Sequence, residues 1–312
     1  MLPLRCEHDA GLTELTAYLR WLSARAEVVV VDGSAPPWFE RHRRAWGRFV
    51  RHLRPDPDLR CANGKVAGVR TGLRRVRADR VVIADDDVRY DDRTLAAVAG
   101  ALAGADLVVP QNHFRPAPWH CRWDTARSLL NRALAHDYPG TLAVRRDVFH
   151  RAGCYDGDVL FENLELIRTV RARGGTVRFL RAPLVRRLPP DVRTFLSQRV
   201  RQAYDSFAQP WRLAAELAIL PAALAAGRRD RRAIAGAALV AVLVAEAGRR
   251  RAGGAAVFPA DSALWTPLWL AERGVCSWLA VATRVLRGGV SYRGGRLRVA
   301  AHSVARLRDR AG

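Results

Sequence analysis

Lysine is nearly missing from this chain: of 52 basic residues only Lys65 is a lysine, and the rest are arginine. A bias that broad reads as coding preference, so the surviving lysine marks a position with a particular job. Cysteine is sparse as well. Cys6, Cys61, Cys121, Cys154 and Cys276 form no CxxC and no paired spacing, which excludes a recognisable zinc or disulfide framework and points to reduced, cytosol-facing thiols. The N-terminus, Met1-Leu2-Pro3-Leu4-Arg5, has no basic segment followed by a long apolar run, which argues against a secretory signal. There is no internal repeat and no low-complexity linker. Acidic residues are outnumbered, leaving a formal charge of +22. Such a charge calls for a polyanionic neighbour, either nucleic acid, an anionic membrane surface or a phosphorylated substrate.

What is present is ample for a core: 312 residues, 49% of them hydrophobic, suffice for one large or two modest domains. Up to about residue 190 the chain alternates short β-branched runs with helical stretches. A strand is expected near Leu2 to Arg5, a helix near Leu12 to Ser23, and a strand through Val28-Val29-Val30-Val31 into Asp32-Gly33-Ser34. Pro36-Pro37 suits the first turn of a helix. Gly64, Gly68 and Gly72 share one face of another, where a neighbour can approach closely. Further strands are expected near Val81 to Ala84, Leu107 to Val109, Thr141 to Val144 and Thr176 to Leu180. The alternation predicts an α/β domain over 1–190, with a mostly parallel sheet and helices on both faces.

After Pro189-Pro190 the texture changes. An amphipathic helix with arginines (Asp191 to Phe207) precedes Ala/Leu-rich segments at Leu213 to Ala226, Ala233 to Ala247 and Ala263 to Leu286. Each is short or interrupted, by Glu216, Glu246 or Glu272-Arg273, against the roughly 20 apolar residues that spanning needs. Arginine clusters at 228–232 and 249–251 flank the second segment on both sides, so one simple span cannot satisfy the positive-inside preference. A hairpin, a re-entrant pair or interfacial helices fit better. Residues 191–312 are therefore expected to be a basic helical region associated with the cytoplasmic face of a membrane, with a short basic tail.

Three consecutive acids, Asp85-Asp86-Asp87, follow the apolar strand that ends at Ala84. Their mutual repulsion needs a cation or basic group to offset it, and carboxylates at a strand's C-terminal end suit a divalent metal at the edge of a sheet. Lys65 is not a Walker lysine, because Val66 follows it where Ser or Thr is required. His113, His120 and His136 fall in an apparently irregular stretch before Gly140, with no metal-set spacing. Trp119 and Trp123 there suit sugar stacking, lipid contact or core packing equally.

Taken in order, the strand ending Asp32-Gly33-Ser34, Asn63-Gly64-Lys65, Asp85-Asp86-Asp87, Gly140-Thr141, Gly153-Cys154-Tyr155-Asp156, Phe161-Glu162-Asn163-Leu164-Glu165 and Gln198-Arg199-Val200-Arg201-Gln202 resemble the family 2 glycosyltransferases, inverting enzymes of GT-A fold. The resemblance covers roughly Asp32 to Gln202. The tail Gly289-Val290-Ser291-Tyr292-Arg293-Gly294-Gly295-Arg296 is similar to the ending of membrane-bound members of the ceramide glucosyltransferase-like branch. The resemblance implies that Asp32 contacts the nucleotide base or ribose and that Lys65 lies beside the nucleotide. It implies that Asp85 and Asp87 are the outer acids of the DxD element holding Mg²⁺ or Mn²⁺ on the donor diphosphate, Asp87 the more direct ligand. Gln198 and Arg201 match the QxxR part of QxxRW, with Gln202 in place of the tryptophan.

The family's general-base aspartate falls at Asn163, which cannot take a proton. Glu162 and Glu165, three apart on one helix, are the nearest carboxylates; Glu162 is preferred as base and Glu165 is the alternative, although both also suit a helix's first turn. The expected activity is inverting, metal-dependent transfer of a sugar from a nucleotide diphosphate donor to an acceptor hydroxyl. The basic apolar region favours a lipid or lipid-linked acceptor at an anionic membrane surface. The rival is a noncatalytic nucleic-acid or anionic-membrane binding protein on a degenerate GT-A fold. Arginines dispersed beside apolar helices, not interleaved with aromatics, speak against nucleic acid.

Overall fold

The computed structural model describes every residue except 9–10, 138–139, 154, 293–294 and 311–312. Cys154 and the Arg293-Gly294 pair of the tail motif lie outside the described residues. The chain forms two compact units, the first from Met1–Val109, Pro139–Arg178 and Ser303–Gly312, the second from Pro110–Tyr138 and Phe179–His302. The change of texture near residue 190 therefore does not coincide with a single cut.

The first unit opens with β1 (Leu2–Leu4), α1 (Leu12–Ser23), β2 (Val29–Asp32), α2 (Pro36–Trp46), β3 (Arg51–Leu53) and α3 (Gly64–Arg75). It continues through β4 (Arg80–Ala84), β5 (Val88–Arg89) and α4 (Asp92–Ala101) to β6 (Leu107–Phe114), whose last residues belong to the second unit. After α5 (Trp119–Leu134) in the second unit come β7 (Thr141–Arg145), α6 (Arg146–Arg151) and α7 (Glu162–Ala172) in the first. β8 (Val177–Arg187) leads back to the second unit, which adds α8 (Val192–Ser197), α9 (Arg199–Tyr204), α10 (Pro210–Arg229), α11 (Arg231–Arg250) and α12 (Thr266–Arg287). An antiparallel pair, β9 (Val290–Tyr292) and β10 (Gly295–Leu297), follows, and α13 (Val304–Asp309) closes the first unit.

In the first unit β1, β2 and β3 pair in parallel, with Leu4 opposite Asp32 and Val31 opposite Leu53. The valine run is buried throughout, as a strand covered on both faces requires. Ala84 N–H donates to the Met1 carbonyl at 3.1 Å, laying the end of β4 beside β1. On its other side β4 pairs antiparallel with β7, and β7 pairs antiparallel with β6. The parallel expectation holds for β1 to β3, and β6 and β8 also run the same way, with the Leu107 N–H donating to the Thr176 carbonyl at their starts and the Arg115 N–H to the Arg187 carbonyl at their ends; β7 is antiparallel to both β4 and β6. A parallel neighbour needs a crossover laid over the sheet, whereas the chain between β6 and β7 makes its helix, α5, in the second unit.

Helix α2 begins on the two prolines, and α3 begins on Asn63, whose side chain accepts the Lys65 N–H at 3.1 Å. The glycine face of α3 lies on β1 and β2: a Cβ on Gly68 would come within 3.1 Å of Pro3, and one on Gly72 would collide with Met1. Helix α3 is therefore held close against the strands, and Lys65 in its first turn is fixed accordingly.

The second unit differs more from expectation. Helix α5 occupies the stretch read as irregular, because its buried face is largely polar, including His120, Asp124, Ser128, Asn131 and Arg132, and shows no apolar period. His120 Nε2 meets the Pro190 carbonyl at 2.9 Å, and His136 stacks on Phe179. Trp119 and Trp123 pack against each other and Phe195. The helix expected over Asp191 to Phe207 breaks at Gln198 into α8 and α9. The three Ala/Leu-rich segments lie in α10, α11 and α12 with its preceding 3₁₀ turn, and no helix among the described residues is long and apolar enough to cross a membrane.

Helices α5, α9 and α12 enclose Arg199, which pairs with Asp124 at 2.9 Å and Glu272 at 2.8 Å, all three side chains under a tenth exposed. Burial pushes Asp124 up, but Arg127 and Arg199 outweigh it and hold the carboxyl down to about 2. Its folded value lies below the unfolded one, so the stability it lends is complete above about pH 4 and drains away towards pH 2. Replacing Arg199 by methionine strands two buried carboxylates and should cost about 3–5 kcal/mol. Urea melts at neutral pH check this; a midpoint within error of the parent's would show that the triad holds nothing together.

Candidate active site

The acid cluster forms a turn between β4 and β5, closed by the Val88 N–H to the Asp85 carbonyl at 3.1 Å. Val81 and Ile83 anchor β4 in the core, so the three carboxylates emerge from a fixed strand end. Lys65 projects from the first turn of α3 and bridges two acids, with Nζ 2.5 Å from Asp85 Oδ1 and 2.8 Å from Glu162 Oε1. Glu162 is the first residue of α7. Asn63, fully buried, ties the set together: its Nδ2 donates to the Val159 carbonyl at 3.2 Å and to Glu162 Oε2 at 3.4 Å.

Burial pushes the Lys65 ammonium down, but Asp85 and Glu162 outweigh it and hold the group above its ordinary range, so it is charged at neutral pH. A compact ammonium can sit between two carboxylates where a planar guanidinium would have to fork. This gives a physical reason for a lysine here in a chain that otherwise uses arginine. Lys65→Met leaves Asp85 and Glu162, only 22% and 15% exposed, facing each other without a cation. One of the pair should then keep its proton in the folded state, so the variant should lose stability as pH rises from about 4 to 7. Thermal melts across that range test the coupling, and a flat profile would exclude it.

Gly140 completes the turn's surroundings. Its carbonyl accepts the Asp85 N–H at 2.9 Å, and a Cβ on it would stand 2.5 Å from Asp85 Oδ2. Only glycine leaves that oxygen room. Asp87, in the same turn, is partly buried. Two carboxylates on a rigid strand end, one in a cradle that a methyl group would fill, fit a hard divalent cation that prefers oxygen.

The remaining sequence candidates are placed differently. Glu165 is fully buried, out of reach of an acceptor entering from solvent, which leaves Glu162 as the more open carboxylate of α7. Asp32 is also fully enclosed: Oδ1 receives the Ser34 N–H at 2.9 Å, and Oδ2 faces His42 Nδ1 at 2.7 Å and His52 Nε2 at 3.0 Å. Gln198 and Arg201 belong to the second unit, Gln198 at the break between α8 and α9 and Arg201 over the ring of Tyr292. Their neighbour Arg199 is the arginine buried in the ion triad.

Sequence reasoning missed His42, His52 and the structural part played by Asn63. Asn63 carried a signal, since it precedes Gly64 where a helix N-cap belongs. An apolar cavity of about 230 Å³ lined by Met1, Leu2, Tyr18, Val28, Val82 and Leu95 also lies in the first unit, and none of the acid-site side chains lines it.

No family model and no curated protein matches this chain. Among solved structures it is similar to the mannosyltransferase PcManGT from Pyrobaculum calidifontis in complex with GDP-Man and Mn²⁺, with 19% identity over 89% of this chain and 85% of that one and a TM-score of 0.52. Glucosyl-3-phosphoglycerate synthase from Mycobacterium tuberculosis, in complex with Mn²⁺, UDP and glucosyl-3-phosphoglycerate, is 15% identical over 62% of this chain and 73% of its own, at 0.42. Mannosyl-3-phosphoglycerate synthase from Rubrobacter xylanophilus is 17% identical over 63% and 68%, at 0.43. At these identities the first likeness speaks for the α/β fold alone, in keeping with the GT-A expectation, and the other two carry no argument.

Proposed function

We propose that this chain is a family 2-like, inverting glycosyltransferase that uses a nucleotide diphosphate sugar and a lipid or lipid-linked acceptor. The observation that carries the reading is Lys65 held between Asp85 and Glu162 at the end of β4, in a fold like that of a protein solved with GDP-Man and Mn²⁺. Asp85 and Asp87 would hold Mg²⁺ or Mn²⁺, which when bound supplies positive charge to the departing diphosphate. Lys65 adds a second positive charge for that group. The same reading, by the family resemblance, also assigns Asp32, Gln198 and Arg201 to the donor.

Glu162 takes the proton of the acceptor hydroxyl. Lys65 Nζ occupies Glu162 Oε1 at 2.8 Å, so that oxygen comes free for the acceptor hydroxyl once donor phosphate draws the ammonium away. The order of events follows: donor first, acceptor second. A single displacement needs the acceptor oxygen in line with the leaving diphosphate and a base within hydrogen-bond reach. Transfer of labelled sugar into a lipid extract, with the anomeric configuration of the product read by NMR, tests this; retention of the donor's configuration would contradict it. The noncatalytic rival is less favoured, because the acids, the lysine and the neighbouring glutamate are assembled at one strand end.

The lipid side rests on the second unit. Residues 221–225 of α10 and 231–237 of α11 are exposed throughout, and Leu224, Leu239, Val240 and Leu243 are each more than half exposed. Arg228, Arg229, Arg231 and Arg232 surround the join between the two helices. Apolar side chains beside clustered arginines suit the interface of an anionic leaflet, which such helices lie in without spanning. The protein should sediment with phosphatidylglycerol vesicles and not with phosphatidylcholine vesicles, and a Leu239→Ser, Leu243→Ser double substitution should weaken the association. Release by salt alone would reduce the contact to electrostatic docking, and no binding to either vesicle would remove the membrane half.

A further inference from the structure

The Asp32, His42 and His52 cluster lies apart from the acid turn in chemistry. Its three side chains come from three elements: Asp32 ends β2, His42 is on α2 and His52 is on β3. All three side chains are 0–2% exposed. Asp32 Oδ2, His42 Nδ1 and His52 Nε2 lie within 4.8 Å of one another, two of the separations being 2.7 and 3.0 Å. Ligands about 2.0–2.1 Å from a tetrahedral zinc stand roughly 3.3 Å apart. Opening the cluster by about half an ångström would admit an ion.

Two observations favour a cation over a purely hydrogen-bonded set. A fully buried carboxylate needs compensating charge, and neither lysine nor arginine pairs with Asp32 among the described residues. The ring planes are already fixed, His42 stacked on Trp46 and His52 on Phe39, so little orientation is left to lose on binding.

We propose that Asp32, His42 and His52 form a second divalent-metal site that takes a zinc-class ion. Two imidazoles and one carboxylate select Zn²⁺ or Co²⁺ over Mg²⁺, in contrast to the oxygen-only acids of the β4 turn. Such an ion would clamp α2 and β3 to the end of β2. Each ring would ligate as the neutral imidazole, through the nitrogen that now faces Asp32, with its one proton on the other ring nitrogen.

The test uses the full chain carrying Asp85→Asn and Asp87→Asn, free of nucleotide, so that the acid turn cannot compete. Co²⁺ or Zn²⁺ alone is added to the folded protein and, in parallel, during refolding. One equivalent of Co²⁺ with visible d–d absorption, displacement by Zn²⁺, and a raised melting temperature with Zn²⁺ are expected. His42→Gln and His52→Gln should each weaken binding by about a hundredfold or more, since loss even of outer-shell partners costs 10- to 100-fold. Absence of binding in both preparations, or equal binding in the histidine variants, overturns the proposal. Should those variants fail to fold, ¹⁵N spectra of the histidine rings in the parent decide: a bound ion that leaves His42 Nδ1 and His52 Nε2 unshifted also overturns it.

Discussion

Asp87→Ala should abolish metal-dependent donor binding. In calorimetric titration of the parent, affinity for the nucleotide sugar is expected to rise sharply when Mn²⁺ is present, and in the variant that rise should vanish. Loss of a partner that merely orients a metal ligand costs 10- to 100-fold, so loss of a direct carboxylate should exceed about a hundredfold. Asp85→Asn should act in the same direction but also loosens Lys65, whose Nζ lies 2.5 Å from Asp85 Oδ1. Its effect is therefore expected in stability as well as in binding. Equal donor binding by Asp87→Ala and the parent would remove the acids from the donor site.

Glu162→Gln should collapse turnover while leaving donor affinity close to that of the parent. General-base catalysis typically contributes about 10²- to 10⁴-fold, and the amide keeps the side chain's size while losing its ability to take a proton. Glu162 also accepts from Lys65 and Asn63, so a modest loss of stability should accompany the kinetic effect. Glu165→Gln should behave in the opposite way, changing stability first, because that carboxylate is fully buried. Single-turnover kinetics with saturating donor separate chemistry from binding. If turnover survives Glu162→Gln to within about tenfold, the base lies elsewhere and the single-displacement assignment at α7 fails.

Much of the first unit was legible because its signals are local. The valine run before Asp32, the prolines of α2, the glycine face of α3 and the acids after Ala84 each impose a geometry that neighbours in sequence reveal, and each element formed where expected. The antiparallel direction of β7 was not legible, since it depends on the path taken between β6 and β7. Helix α5 was hidden for another reason: its buried face is polar, paired with residues as distant as Arg199 and Gly248. Within the site, the importance of Lys65 could be read from its rarity, but not that it joins Asp85 to Glu162, 97 residues away in sequence from Lys65. The enclosure of Asp32 was equally invisible, because His42 and His52 carry no pattern until α2 and β3 bring their rings to one oxygen.

The measurement that bears most directly on sugar transfer is release of nucleoside diphosphate from a panel of UDP- and GDP-sugars, with lipid extract as acceptor and Mn²⁺ present. Release is expected from at least one donor, dependent on both metal and acceptor, absent after chelation and absent from Asp87→Ala. Release from no donor under any of these conditions, or release that Asp87→Ala leaves unchanged, would contradict the assignment of this chain as a nucleotide-sugar transferase working through the acids of the β4 turn.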